Sequence, residues 1–170
     1  MEDVNKRDEL PRLSLPPTPL SIKGFGGKDF VYDPLRKKWL RLTPEEWVRQ
    51  HYVSYLCRYR GYPEHAFANE VALPETLRRG RTDTVVFGTG GKPWALVEYK
   101  AAHLSLQKEM WSQLLAYNHV YKVDLLCLTN GMQQVVCLLG STPEDCDFIP
   151  EMPLYSELRA HYTNGLLREN

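Results

Sequence analysis

The chain has no net charge, no closely spaced cysteine pair and no long apolar run. Its 21 Lys and Arg balance 21 Asp and Glu, so no global field draws it onto nucleic acid or an anionic membrane, and any such contact has to come from local patches. The four cysteines, Cys57, Cys127, Cys137 and Cys146, contain no CxxC. That argues against a zinc site and suits a reducing compartment, with two of the four inside apolar strand-like runs where Cys acts as a small hydrophobe. Nowhere do eighteen apolar residues follow one another, and the first thirty hold no continuous apolar h-region. Neither a membrane span nor a targeting segment is expected, and the expected location is the cytoplasm. His51, His65, His119 and His161 lack metal-ligand spacing, and there is no internal repeat.

What is present suits one domain. A chain of 170 residues with 43% hydrophobic residues can bury a core that needs no staples. Residues 1–28 are charged, then rich in proline ("PRLSLPPTPLS"), then in glycine ("KGFGGK"), a composition that predicts an extended or mobile leader. "FVYD" and "KKWLRL" predict short strands around a turn begun by Pro34. Thr43-Pro44-Glu45-Glu46 is a capping box with proline at the first helical position, and Gly61 and Pro63 stop that helix near Arg60. Val48, Tyr52, Tyr55, Leu56 and Tyr59 form its apolar stripe. At about 100° per residue, Glu45 falls on the stripe and Glu46 off it. Capping explains Glu46, whereas Glu45 points an acid toward the core edge.

Three strands follow, "AFANEVAL", "RTDTVVFG" and "PWALVEYK", the last two joined by the hairpin turn "GTGGK". A second helix is predicted from about Ser105, as its cap, to Val120, with Met110, Gln113, Leu114 and Tyr117 as a stripe. "VDLLCLT" and "MQQVVCLL" then flank the Asn130-Gly131 turn. The segment 141–170 reads as a peripheral tail with one short helix, leaving 29–140 as the main domain.

The chemistry collects at one strand end. Glu98 and Lys100 are two apart and leave the same face of their strand, and antiparallel pairing across "GTGGK" brings Asp83 to the same end. Such a cluster is either an ordinary ion pair on an exposed strand end or a site for a hard divalent cation. Mg2+ binds through one or two carboxylates and substrate phosphate oxygens, and a nearby ammonium can orient the attacking water or neutralise charge. Glu45 from the first helix could complete the acidic shell. Gln113 and Tyr117, one turn apart on the second helix, add polar groups to an apolar stripe. Gln113 needs a partner, either the backbone or the acidic end of the sheet. Arg78, Arg79 and Arg81, with Arg36, Lys37, Lys38 and Arg41, either meet phosphates or are solvated charge. His103, three residues beyond Lys100, either contacts substrate or is a surface histidine, the second being the preferred reading.

In their order and spacing, "YDPLRKKWLRLTPEEWVRQHYVSYLCRYRGYP", "RTDTVVF", "ALVEYKA", "QLLAY" and "LCLTNG" resemble the nuclease domain at the N terminus of type I restriction enzyme R subunits. That bacterial family is a branch of the PD-(D/E)xK superfamily, and the resemblance runs from about Phe30 to Leu139. It implies a restriction-endonuclease-like α/β fold, an αβββαβ core with a central mixed sheet flanked by helices. It also implies a Mg2+-dependent deoxyribonuclease in which Mn2+ can replace Mg2+. Asp83, Glu98 and Lys100 would be the catalytic triad, with Glu45 as the first-helix acid and a further metal ligand. Gln113 and Tyr117 would be the QxxxY motif that supports the site and touches the DNA backbone, as the arginines Arg78, Arg79 and Arg81 also could. Glu70 stands where relatives often carry an acid. The superfamily's "PD" is "TD" here, which keeps the ligand Asp83. No P-loop occurs, "GTGGKP" being too short, so a separate motor or specificity subunit, or a second copy of the chain, is the expected means of delivering DNA. The competing expectation is a non-catalytic nucleic-acid-binding or assembly module that keeps the nuclease fold, and RNA is an alternative substrate.

Overall fold

The computed structural model describes residues 10–72, 81–140 and 145–166. Strands β1 (Ile22–Phe25), β2 (Lys28–Asp33) and β3 (Lys38–Arg41) form a small antiparallel sheet in that order. β1 lies inside the segment expected as an extended or mobile leader and shows the extended alternative for residues 22–25. Gly26 and Gly27 both take positive φ, 57° and 68°, and a two-residue turn of that hand closes a hairpin. The proline-rich part is also held down. Leu13 is buried in the core against Gly131, and the Ser14 N–H donates to the Gly131 carbonyl at 2.9 Å.

The first helix, α1 (Pro44–Tyr59), starts where its capping box predicts, with Thr43 Oγ1 accepting from the Glu46 N–H at 3.1 Å. Val48, Tyr52 and Leu56 are buried as expected, but Tyr55 is half-buried and Tyr59 exposed. A second face, Glu46, Arg49, Gln50 and Val53, is buried as well, because the β2–β3 hairpin reaches α1 through Arg36.

The larger sheet contains β4 (Phe67–Ala72), β5 (Arg81–Phe87), β6 (Pro93–Tyr99), β7 (Leu125–Thr129), β8 (Gln134–Leu139) and β9 (Cys146–Ile149), adjacent in sequence order. All neighbours pair antiparallel except β6 and β7, which run parallel across the helix α2 (Lys108–Tyr121). The order α1, β4, β5, β6, α2, β7 is the expected αβββαβ core with a mixed sheet. Period-two alternation supplies both faces: Ala95, Val97, Leu125 and Cys127 pack toward α1, while Leu96, Leu126 and Leu128 pack toward Leu114 of α2. Gly88 lies under the Trp94 ring, where an added Cβ would fall 1.7 Å from it.

Two boundaries differ from expectation. α2 begins at Lys108 and Ser105 does not cap it, because the chain first turns back through the Leu104 N–H to the Ala101 carbonyl at 3.0 Å. The segment after β8 is not peripheral. β9 extends the sheet, a disulfide joins Cys137 to Cys146 although no pairing was expected of the cysteines, and α3 (Tyr155–Leu166) buries Leu158. Tyr162 of α3 stacks on Trp94 with centroids 5.1 Å apart. No helix among the described residues is long and apolar enough to cross a membrane.

If α3 is part of the core, Leu158→Ala costs about 3 kcal/mol of unfolding free energy. Urea denaturation measures it, and a loss below about 1 kcal/mol would leave α3 a mere appendage.

Candidate active site

The β5–β6 register, Thr84 opposite Val97, carries Asp83 to the C-terminal end of β6. There Asp83 Oδ2 accepts from the Tyr99 N–H at 2.9 Å. Lys100 lies just past β6, and its N–H donates to the Thr129 carbonyl at 2.8 Å, so β7 fixes its backbone. Its ammonium reaches back to Glu98 Oε1 at 3.0 Å. Asp83, Glu98 and Lys100 therefore converge as the register predicts.

This is not an exposed strand-end ion pair. Glu98 is only 6% exposed, and its Oε2 is buried with no hydrogen-bond partner among the described residues. Burial, reinforced by the charge of Asp83 and opposed by Lys100, pushes the Glu98 carboxyl up to about 7. Burial raises Asp83 too, against the lowering effects of the Tyr99 N–H, Arg49 and Lys100. Two carboxyl groups that resist ionising side by side are a binding opportunity for a cation.

Arg49 of α1 supplies part of that charge, and sequence reasoning missed it. Its side chain is 7% exposed and pairs with Glu46 Oε2 at 3.1 Å, Glu70 Oε1 at 3.5 Å and Asp83 Oδ1 at 3.5 Å. Burial works against its charge, but Glu46, Asp83 and Glu70 outweigh that and hold its pKa above the ordinary value. Arg36 extends the chain of ion pairs, reaching Asp33 Oδ2 at 2.5 Å, Glu46 Oε1 at 3.2 Å and Glu70 Oε2 at 3.1 Å. Gln50 Nε2 donates to Glu46 Oε1 at 2.8 Å. The signal was available as Glu46, Arg49 and Gln50 at helical i, i+3 and i+4 spacing.

The helix acid at the site is thus Glu46, not Glu45. Glu45 is exposed and one residue out of phase, because α1 buries two faces and the stripe used to orient it marks only one. Glu70 joins the same network from β4 with a φ of +53°. The β4–β5 pairing passes from Asn69 opposite Thr84 to Val71 opposite Thr82 and leaves Glu70 out of the ladder. A non-glycine residue in that region costs roughly 1–3 kcal/mol and is typical of functional sites.

The other expected residues make no hydrogen bond to Asp83, Glu98 or Lys100 among the described residues. Gln113 is exposed, and its amide donates to the Tyr117 hydroxyl one turn on. His103 is exposed, as are Lys37, Lys38 and Arg41, whereas Arg36 is taken up by its acids. Arg78 and Arg79 lie outside the described residues, and only the backbone of Arg81 is described. No group of three or more His, Cys, Asp or Glu among the described residues forms a metal cage.

The chain is thus a mixed α/β protein with a buried Asp–Glu–Lys cluster at one end of its sheet. Residues 44–153 match the family described as type I restriction enzyme R protein N terminus (HSDR_N), and the chain belongs to that family. No curated protein matches it. In fold it is similar to a fragment assigned as the HsdR subunit of a type I restriction enzyme from Vibrio vulnificus YJ016. The TM-score is 0.54 at 18% identity, over 72% of this chain and 26% of that one, so this chain spans about a quarter of the relative's length.

Between the ordinary Glu value and about 7, folded Glu98 keeps a proton that the unfolded chain has released, so stability falls as pH rises through that window. In EDTA, melting curves of the wild type should lose stability on the order of 3 kcal/mol from pH 4.5 to 7.5. Glu98→Gln, which never ionises, should lose far less; equal losses would contradict the buried-acid assignment.

Proposed function

We propose that the chain is a Mg2+-dependent nuclease domain of the PD-(D/E)xK type that hydrolyses phosphodiester bonds in DNA. The observation that carries the reading is the buried Asp83–Glu98 pair with Lys100 at 3.0 Å and Glu98 Oε2 left without a partner. Two carboxylates and no cage suit a hard cation that fills its remaining positions with water and phosphate oxygens, so Asp83 and Glu98 are the residues to hold Mg2+, or Mn2+ in its place. Such an ion supplies phosphoryl polarisation and a more acidic bound water.

The chain's own groups do the rest. Glu98, whose carboxyl burial pushes up to about 7, must give up its proton for the site to act. The Tyr99 N–H and Arg49 fix the Asp83 carboxylate, which keeps its lone pairs oriented. Lys100, fixed in backbone by β7, holds its ammonium against Glu98, where it can orient the attacking water and offset charge as the phosphoryl group takes up the new oxygen. Gln113 is exposed on α2 and half-buried Tyr117 holds its amide, which leaves Gln113 available to the DNA backbone. Since the chain corresponds to about a quarter of a larger relative, a motor or specificity subunit is the proposed means of bringing DNA to the site in a restriction reaction.

Supercoiled, linear and single-stranded DNA should be cut with Mg2+ or Mn2+ and spared in EDTA. Asp83→Ala and Lys100→Ala should each cut at least about a hundredfold more slowly while melting as folded proteins. Retained activity in both variants would refute the site. A folded wild type that cuts nothing would leave a binding module.

A further inference from the structure

The small sheet presents an outward face that the proposed reaction does not use. Residues paired across an antiparallel ladder point to the same side, as do residues two apart. The pairs Phe25–Lys28, Lys23–Phe30, Phe30–Arg41 and Tyr32–Trp39 therefore put four aromatics on one face, with three cations among them. The opposite face carries buried Val31 and Asp33 and half-buried Ile22 and Leu40. Asp29 and Asp33, both two-residue steps from Val31, share that inner face, so the three strands place no carboxylate of their own on the outer one.

The outer side chains meet solvent. Phe25 is 76% exposed and Trp39 is 39% exposed, and Lys23, Lys28 and Arg41 are exposed. They are also pre-arranged. The Lys23 ammonium lies 4.0 Å from the centroid of the Trp39 ring, and Tyr32 meets Trp39 edge-on at 5.5 Å. Exposed aromatic rings interleaved with cations and free of acids complement a strand that offers bare base faces and phosphates together, which a duplex does not. The row also points somewhere. Its Tyr32–Trp39 end adjoins the turn holding Arg36, whose guanidinium pairs with Glu46 and Glu70 of the acidic network.

We propose that the outer face of the β1–β3 sheet is a binding track for single-stranded nucleic acid, with bases stacking on Phe25 and Trp39 and phosphates on Lys23, Lys28 and Arg41. Six residues of β2 span roughly 20 Å, room for about three nucleotides. Neutral overall charge is no obstacle, because Lys23, Lys28 and Arg41 form a local cationic face.

The test is fluorescence anisotropy of the full chain in EDTA, so that cleavage plays no part, with labelled oligothymidylate, oligouridylate and a duplex. Wild type should bind either single strand at least about tenfold more tightly than the duplex. Trp39→Ala should weaken binding about tenfold, and Phe25→Ala with Trp39→Ala should abolish it. Trp39→Phe should restore most of it, which loss of a merely structural contact would not allow. Unchanged binding in the double variant, a duplex bound as tightly as a single strand, or a folded wild type that uses this face to dimerise instead would each overturn the proposal. Because binding is read in EDTA, where no cleavage occurs, a failed cleavage site and a failed track give different results.

Discussion

The guanidinium of Arg49 stands where acids from three elements converge: Glu46 of its own helix, Glu70 of β4 and Asp83 of β5. Removing its charge would leave these carboxyl groups crowded at the end of a sheet that also buries Glu98, and a buried charge without its partner typically costs several kcal/mol. The rest of the site's geometry depends on this balance. Arg49 ties α1 to the sheet, Glu46 passes the connection to Arg36, and Arg36 fixes the β2–β3 turn through Asp33. One line of alternating charge thus joins the small sheet, the first helix and the acidic end of the large sheet.

That line shows how two carboxyl groups are tolerated next to each other at the end of the sheet, and why the compensation is partial. Arg49 and Lys100 each neutralise one of them incompletely. Asp83 meets Arg49 only at 3.5 Å, and Glu98 gives one oxygen to Lys100 and keeps the other buried and unpartnered. Compensation at the site is partial, with Glu98 raised to about 7 as its electrostatic signature.

What could be read in advance follows from how local each signal is. The start of α1 was legible because a cap and a proline act within four residues. Asp83, Glu98 and Lys100 were legible because a short glycine turn fixes the register of β5 on β6, and register fixes which side chains meet. Glu45 was mistaken for Glu46 because a charged helix face reads as solvent-facing, and only the folded chain shows a second surface covering it. β1 and β9 are four residues each, too short to reveal a period, and they exist through pairing with neighbours. Arg49 looked like any helical arginine, since its role is set by acids from strands elsewhere in the chain. Gln113 and Tyr117 were expected at the acidic end, and the fold leaves them bonded to each other at the surface of α2.

The proposed nuclease chemistry requires Asp83 and Glu98 to form a place for one divalent cation. Isothermal titration calorimetry of the metal-free chain with Mn2+ near pH 6.5, in buffers of different ionisation enthalpy, tests that most directly. It should give one binding site with release of close to one proton, because Glu98 must ionise on binding, and Glu98→Gln should lose the site. Absence of binding by the folded wild type, or identical binding by Glu98→Gln, would contradict it.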